Sequence, residues 1–316
     1  MRIAVFKHNA DQRLGIVPAE SNGVLIDSVA ASELLGLKSP APSLDVLSLL
    51  RSSVDPNGYF TKLKQANWND EVFSKARLTI KNLKLEAPIA RPGKIICLAG
   101  NYREHIIESG YAAPQASAII TPQLFLKPST GIIGDGDDIV IGSQNRTVGW
   151  ETELAVVIGK GGRSIPADNA YDHVFGYTIL NDVSERALNS RIENRTKREM
   201  DGFFDWLAGK WFDGFAPSGP WIVTADEIAD PHNLKIKLTV NGQTRQQGNT
   251  ADMIFRIPEQ IAYISSIMTL EPGDIISTGT PVGAGVGGAA ALQDGDEMVC
   301  EIEGIGTLRN KVRCDN

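Results

Sequence analysis

The chain has 316 residues, 42% hydrophobic and 22% charged, with a formal net charge of −7. That is enough apolar material for one large domain or two modest ones. The acidic balance and the lack of any long Lys/Arg run argue against a nucleic-acid partner.

No stretch approaches the roughly 18 uninterrupted apolar residues that a membrane helix needs, so no membrane partner is expected. The opening MRIAVFKHNADQ lacks an apolar h-region and a cleavage site, and reads as a first strand rather than a signal peptide. Cys97, Cys300 and Cys314 are far apart and odd in number. They offer no Cys-x-x-Cys zinc site and no disulfide framework, which points to a reducing, cytoplasmic compartment. Cys97, inside KIICLAG, reads as a buried structural thiol.

In chain order, RIAVF, LGIVP and GVLID read as short strands, followed by helix-like ASELLGL and LDVLSLLRSS. LKLEAPIARPGK, with Pro88 and Pro92, looks like a junction between an N-terminal accessory domain (1–85) and a larger domain (90–316). Beyond it KIICLAG, QLFLKP, DDIVIG, ELAVVIG and FGYTILND are expected as strands. LKIKLTVNGQTRQ carries Asn241-Gly242 between two alternating runs, a hairpin signal. RIPEQIAYISSIM has helical spacing, EPGDIISTG returns as a strand, and DEMVCEIEGIGTLRNKV gives two strands around a glycine turn. This order is not regular βαβα alternation. It points to a β-rich α+β architecture.

Four groups of residues could carry chemistry. In GWETELAVVIGK, Glu151 and Glu153 stand two apart at the start of a strand, so both carboxylates face the same side. Like charges beside an apolar run repel and resist desolvation. A divalent cation would relieve that, and Asp182, at the end of FGYTILND, could complete a hard oxygen-only set suited to Mg²⁺, Mn²⁺ or Ca²⁺. Spacing alone still favours a solvated strand end. His105 and Glu108 stand at i and i+3 in NYREHIIESG, where a helix would let them touch as a general-base pair or as a plain surface ion pair. DGFFDWLAGKWFDGFAPSGP surrounds Lys210 with aromatics that read as core, although such a lysine could meet a carboxylate or enolate. PVGAGVGG formally matches G-x-G-x-x-G at Gly283, Gly285 and Gly288, but AAALQ supplies barely one helical turn after it. A flexible loop, without a nucleotide, is the better reading.

Together these segments resemble the fumarylacetoacetate hydrolase family from about Lys94 to Val312. Five motifs occur in the family's order: NY-x-x-H-x-x-E at 101–108, E-x-E-L-x-x-V-I-G-K at 151–160, GYTILNDVSER at 176–186, GK-x-x-D-x-F-A-P-x-GP at 209–220 and GDIISTGTP-x-G-x-G at 273–285. The resemblance implies a mixed β-sandwich roll with a smaller N-terminal α+β domain, and a homodimer. It places Glu151, Glu153 and Asp182 as metal ligands, and His105 and Glu108 as the pair that activates water on a segment ordered by substrate. Lys210 would lie beside the metal, and Arg186 and Thr280 would hold the acid end of a keto-acid substrate.

The implied reaction is metal-dependent hydrolysis of a C–C bond in an acylpyruvate or related 2,4-diketo acid. Decarboxylation of oxaloacetate, isomerisation or hydration on the same fold are the alternatives, and a catalytically silent metal-binding scaffold is the remote one. Ala187 and Asn189 stand where the family commonly has Asp and Gln, and Trp150 where Tyr is usual. The long charged stretch from Ala187 to Gly209 is expected to reshape the distal pocket.

Overall fold

The computed structural model describes all residues except 9–10, 19–22, 38–45, 52–55, 115–118, 143–146, 191, 286–290 and 316. Among the described residues, twelve strands form one large mixed sheet and five form a second. The centre of the large sheet runs Arg2–His8, Ala216–Thr224, Val174–Asn181, Thr152–Ile158, Ile275–Ser277, Ile95–Ala99, with Gln123–Lys127 at the edge. The smaller sheet is built on the hairpin Lys235–Val240 and Gln243–Asn249 and on Glu297–Ile302, Gly306–Cys314 and Asp138–Ile141.

The Thr152–Ile158 strand explains why its sequence is a continuous apolar run rather than an alternation: both of its faces are covered. Leu154, Val156 and Ile158 pack toward the smaller sheet with Ile236, Leu238, Cys300 and Leu308. Ala155 and Val157 face the other way, into a second core shared with Ile95, Cys97, Leu180 and Ile275. Ile3, Val5 and Leu14 of the N-terminal region join that second core. The first strand also pairs antiparallel with Ala216–Thr224, matching Arg2 to Val223 and Ile3 to Ile222. The division at residues 85–90 is kept as a proposal. If the parts are separate domains, they share a sheet.

The expected hairpin forms with Asn241 and Gly242 both at positive φ (51° and 76°), the primed turn that suits strand twist. The helix Ile257–Ile267 has Pro258 in its first turn, and the Glu259 carboxylate accepts from the Arg256 amide at 2.7 Å. Its Ile257, Ile261 and Ile264 are all buried on one face. Two elements lie outside those expected from the sequence. Ala216–Thr224 is a nine-residue strand within the sheet, hidden by Pro217 and Pro220, which ordinarily signal turns. Asp201–Ala208 is a helix, and Phe203, Phe204 and Trp211 around it are exposed rather than core. No helix among the described residues is long and apolar enough to cross a membrane.

Candidate metal centre and acid–base pair

Strand register brings the three acidic residues together. Thr152 pairs with Asn181, and the Asp182 amide donates to the Glu151 carbonyl at 2.8 Å, so the antiparallel pairing runs one residue further. Directly opposed residues share a face, and so do residues two apart. Glu151, Glu153 and Asp182 therefore project to the same side, where one oxygen from each lies within 4.8 Å of the others, all three residues buried.

Three cations answer this charge. Lys210 Nζ donates to Glu151 Oε2 at 2.8 Å and to Asp182 Oδ2 at 2.6 Å. Lys127 Nζ donates to Asp182 Oδ1 at 2.6 Å and to the Val183 carbonyl at 3.0 Å. Arg186 pairs with Glu151 Oε1. Glu153 has none of these among the described residues. Its Oε2 accepts from Ser277 Oγ at 2.6 Å and from the Gly279 amide at 2.9 Å.

The electrostatics follow from that asymmetry. Burial, then the charges of Asp182 and Glu151, push the Glu153 carboxyl well above the usual range. Burial would do the same to Glu151, but Arg186, Lys210 and His105 outweigh it and hold that carboxyl well below. Burial opposes the Lys210 charge, and Asp182 and Glu151 overcome it and raise the ammonium. An oxygen-only triad with one carboxylate lacking a cation fits a hard divalent ion.

Lys210 follows the helix Asp201–Ala208 and points between the rings of Phe125 (5.1 Å to the centroid) and Trp206 (5.7 Å), a cation–π setting. Gly209 makes the approach possible, because a Cβ there would lie 2.2 Å from the Glu185 carbonyl oxygen. Lys127 was not singled out from the sequence. It ends the strand Gln123–Lys127, two residues from Phe125 and on the same face. The only available signal was a lysine closing an apolar run before Pro128. Cys97 lies on that same buried face, its thiol pushed well up by burial and then by Asp182 and Glu153. That setting disfavours the thiolate and suits a structural thiol.

His105 and Glu108 do sit on one short helix, Arg103–Glu108, with His105 Nδ1 3.4 Å from Glu108 Oε2. Glu108 also accepts from the Gly283 amide, at 3.0 Å to Oε2 and 3.2 Å to Oε1. Arg186 Nε is buried and has no hydrogen-bond partner among the described residues. The Thr280 hydroxyl is already engaged. It donates to the Thr152 carbonyl at 2.9 Å and accepts from Gln246 Nε2 at 2.8 Å. Of the glycine-rich segment, Gly283 and Gly285 are described and Gly288 lies outside the described residues.

The sequence model of the fumarylacetoacetate (FAA) hydrolase C-terminal family matches residues 94–313. The chain belongs to the fumarylacetoacetate hydrolase family. Among the relatives of this family member, human mitochondrial oxaloacetate tautomerase FAHD2A is 44% identical over 228 residues, 72% of this chain and 68% of that protein. An uncharacterized protein of Pyrococcus abyssi is 48% identical over 222 residues, 70% of this chain and 91% of its own length. Among solved structures, maleylpyruvate hydrolase from Sphingobium sp. SYK-6 superposes with a TM-score of 0.75 at 32% identity, covering 100% of both chains. A second structure of that hydrolase, with manganese(II) and pyruvate, has a TM-score of 0.74 at 32% identity, again over 100% of both chains. The relatives that carry an activity in their names are enzymes: a hydrolase, isomerases and tautomerases.

Proposed function

We propose that this protein is a divalent-metal-dependent hydrolase of a C–C bond in an acylpyruvate or related 2,4-diketo acid. Its products would be pyruvate, or a substituted pyruvate, and a carboxylic acid. The observation that carries this reading is the pairing of a buried oxygen-only triad with a His–Glu pair tied to it through Gly283 and Trp150, the neighbour of Glu151. The manganese and pyruvate in the structure of the similar maleylpyruvate hydrolase support it.

Glu151, Glu153 and Asp182 would hold the cation, with Mg²⁺ or Mn²⁺ the expected occupant and Ca²⁺ chemically acceptable. Bound there, it would polarise the 2-keto oxygen and offset negative charge developing on it. His105 takes a proton from water, with Glu108 orienting the ring. The water oxygen bonds to the C4 carbonyl carbon, the C3–C4 bond breaks, and its electron pair becomes the enolate of the pyruvate half. His105 then returns the proton to C3. Lys210, which donates to Glu151 and Asp182, would stabilise that enolate with its ammonium. Arg186, whose buried Nε has no hydrogen-bond partner among the described residues, would turn that N–H to the substrate carboxylate. Thr280 would have to exchange a hydroxyl bond to Thr152 or Gln246 to reach it.

A second reading is keto–enol tautomerisation of oxaloacetate, favoured by the 44% identity to the human tautomerase. It uses the same enolate stabilisation and a proton-shuttling base, without attack by water.

The deciding experiment is a metal-stripped assay with and without Mg²⁺ or Mn²⁺ on acetylpyruvate, fumarylpyruvate and oxaloacetate. It would follow pyruvate, carbon dioxide and the oxaloacetate enol. Metal-dependent pyruvate from the diketo acids establishes hydrolysis, and enol interconversion alone establishes the tautomerase. Carbon dioxide from oxaloacetate alone would mark a decarboxylase. His105→Ala should lower hydrolysis about 10²–10⁴-fold while Mn²⁺ binding survives. Unchanged turnover would remove His105 from the mechanism.

A homodimer is also proposed. Leu126, Phe203, Phe204 and Trp211 offer exposed apolar surface, and light scattering would measure the state. A cytoplasmic location is kept as a proposal beside a human relative that is mitochondrial.

A further inference from the structure

We propose that Trp150 and the Gly283–Gly285 segment form a positioning element that aims the His105–Glu108 pair. This deepens the functional reading above and rests on it. The helix carrying the pair, Arg103–Glu108, is six residues long, too short to hold two side chains in register by itself. Glu108 is part-exposed, and its 3.4 Å contact with His105 is long. The firmest bond to Glu108 comes from elsewhere: the Gly283 N–H reaches both carboxylate oxygens.

That peptide is clamped. The Gly283 carbonyl accepts from the indole Nε1 of buried Trp150 at 3.0 Å, and the Gly285 amide donates to the Trp150 carbonyl at 3.2 Å. On the other side Gln246 Nε2 donates to the Pro281 carbonyl at 2.9 Å, and Gln246 Oε1 accepts from the Thr152 amide at 2.9 Å. The glycines are required by space. Gly283 has φ +88°, and a Cβ there would lie 2.0 Å from the Arg245 carbonyl oxygen. A Cβ on Gly285 would lie 2.8 Å from Gly149 Cα, where segment and strand entrance cross. The element thus runs from the indole through the Gly283 peptide to Glu108 and so to His105. Trp150 acts only through other groups and is a positioning residue. Gly283, the first glycine of the apparent phosphate loop, serves a carboxylate of the same chain.

The test is Trp150→Phe, which keeps an aromatic ring, though a smaller one, and removes the indole N–H. Expected is a fall in kcat of about 10–100-fold for the His105-dependent reaction. KM and the Mn²⁺ dissociation constant should stay within about threefold, because the substrate and metal groups are untouched. Unchanged kcat overturns the proposal. So does a fall accompanied by equal loss of Mn²⁺ binding, which would place the effect at neighbouring Glu151. Exchange of the Gly283 amide needs neither turnover nor a tryptophan variant. It should quicken at least about tenfold in Glu108→Ala, and an unchanged rate overturns the proposal. If His105→Ala leaves activity intact, the functional reading fails, while the exchange result still judges the positioning contact.

Discussion

Around Asp182, three carboxylates and two lysines are packed out of water, with part-buried Arg186 at their edge. Further along the chain, Arg195 pairs with Asp201 and Asp205, and Arg198 with Asp201, beside the exposed aromatics Phe203 and Phe204. The residue types are the same, but the surroundings are not. Arg198 is 84% exposed, so water and salt screen what it contributes. Lys127 and Lys210 are buried to within 3%, where each ion costs several kcal/mol to desolvate and only its partners offset that cost. The conspicuous charge run of the sequence orders a surface segment. The few charges hidden in apolar strands set the site.

The largest test of that contrast is Lys210→Met in metal-free protein. It leaves Glu151 and Asp182 short of a cation and should cost about 3–5 kcal/mol in urea denaturation. Saturating Mn²⁺ should return part of it. A cost near the surface-pair range, under about 1 kcal/mol, would erase the distinction.

Glu153→Gln sharpens it. Mn²⁺ affinity should drop at least about 100-fold, since even groups behind the ligands cost about 10–100-fold. The metal-free fold should change little, because burial and the neighbouring carboxylates already disfavour the charged form of Glu153. Because a raised carboxyl must be deprotonated to bind a cation, calorimetry should find Mn²⁺ affinity rising with pH. The sign for folding is opposite at the two glutamates. Glu153, raised in the fold, stabilises below its unfolded value of about 4.3, and that contribution fades as pH rises toward its folded one. Glu151, depressed, stabilises above that value and loses its contribution as pH falls. A pH-independent affinity would show that Glu153 holds no proton.

The smallest effect belongs to the surface. Arg198→Ala should shift the urea midpoint slightly, and less again at about 1 M NaCl. A large, salt-insensitive shift would mean that Arg198 is tied into the core.

Much of the strand pattern was legible because buried strands leave β-branched apolar runs and glycine turns leave dipeptides such as Asn241-Gly242. Ala216–Thr224 was not, because its prolines mimic a loop. The aromatic segment was misread because hydrophobicity alone does not say which side of a helix faces water: Phe203 and Phe204 are exposed while Phe215 is buried. Gly283 looked like loop punctuation, since its partners Trp150 and Glu108 stand far away in sequence.

By itself the sequence determined the relations that backbone periodicity enforces. Glu151 and Glu153 share a strand face, and His105 and Glu108 share a helix turn. The ordered motifs that mark the family were legible as well. Tertiary structure alone decided what meets them. Asp182 lies across from Glu151 through strand register, Lys127 arrives from the sheet edge, and Ser277 reaches Glu153 from 124 positions away. Such contacts depend on sheet order and register, which no local spacing encodes, because chain period fixes direction only over a few residues.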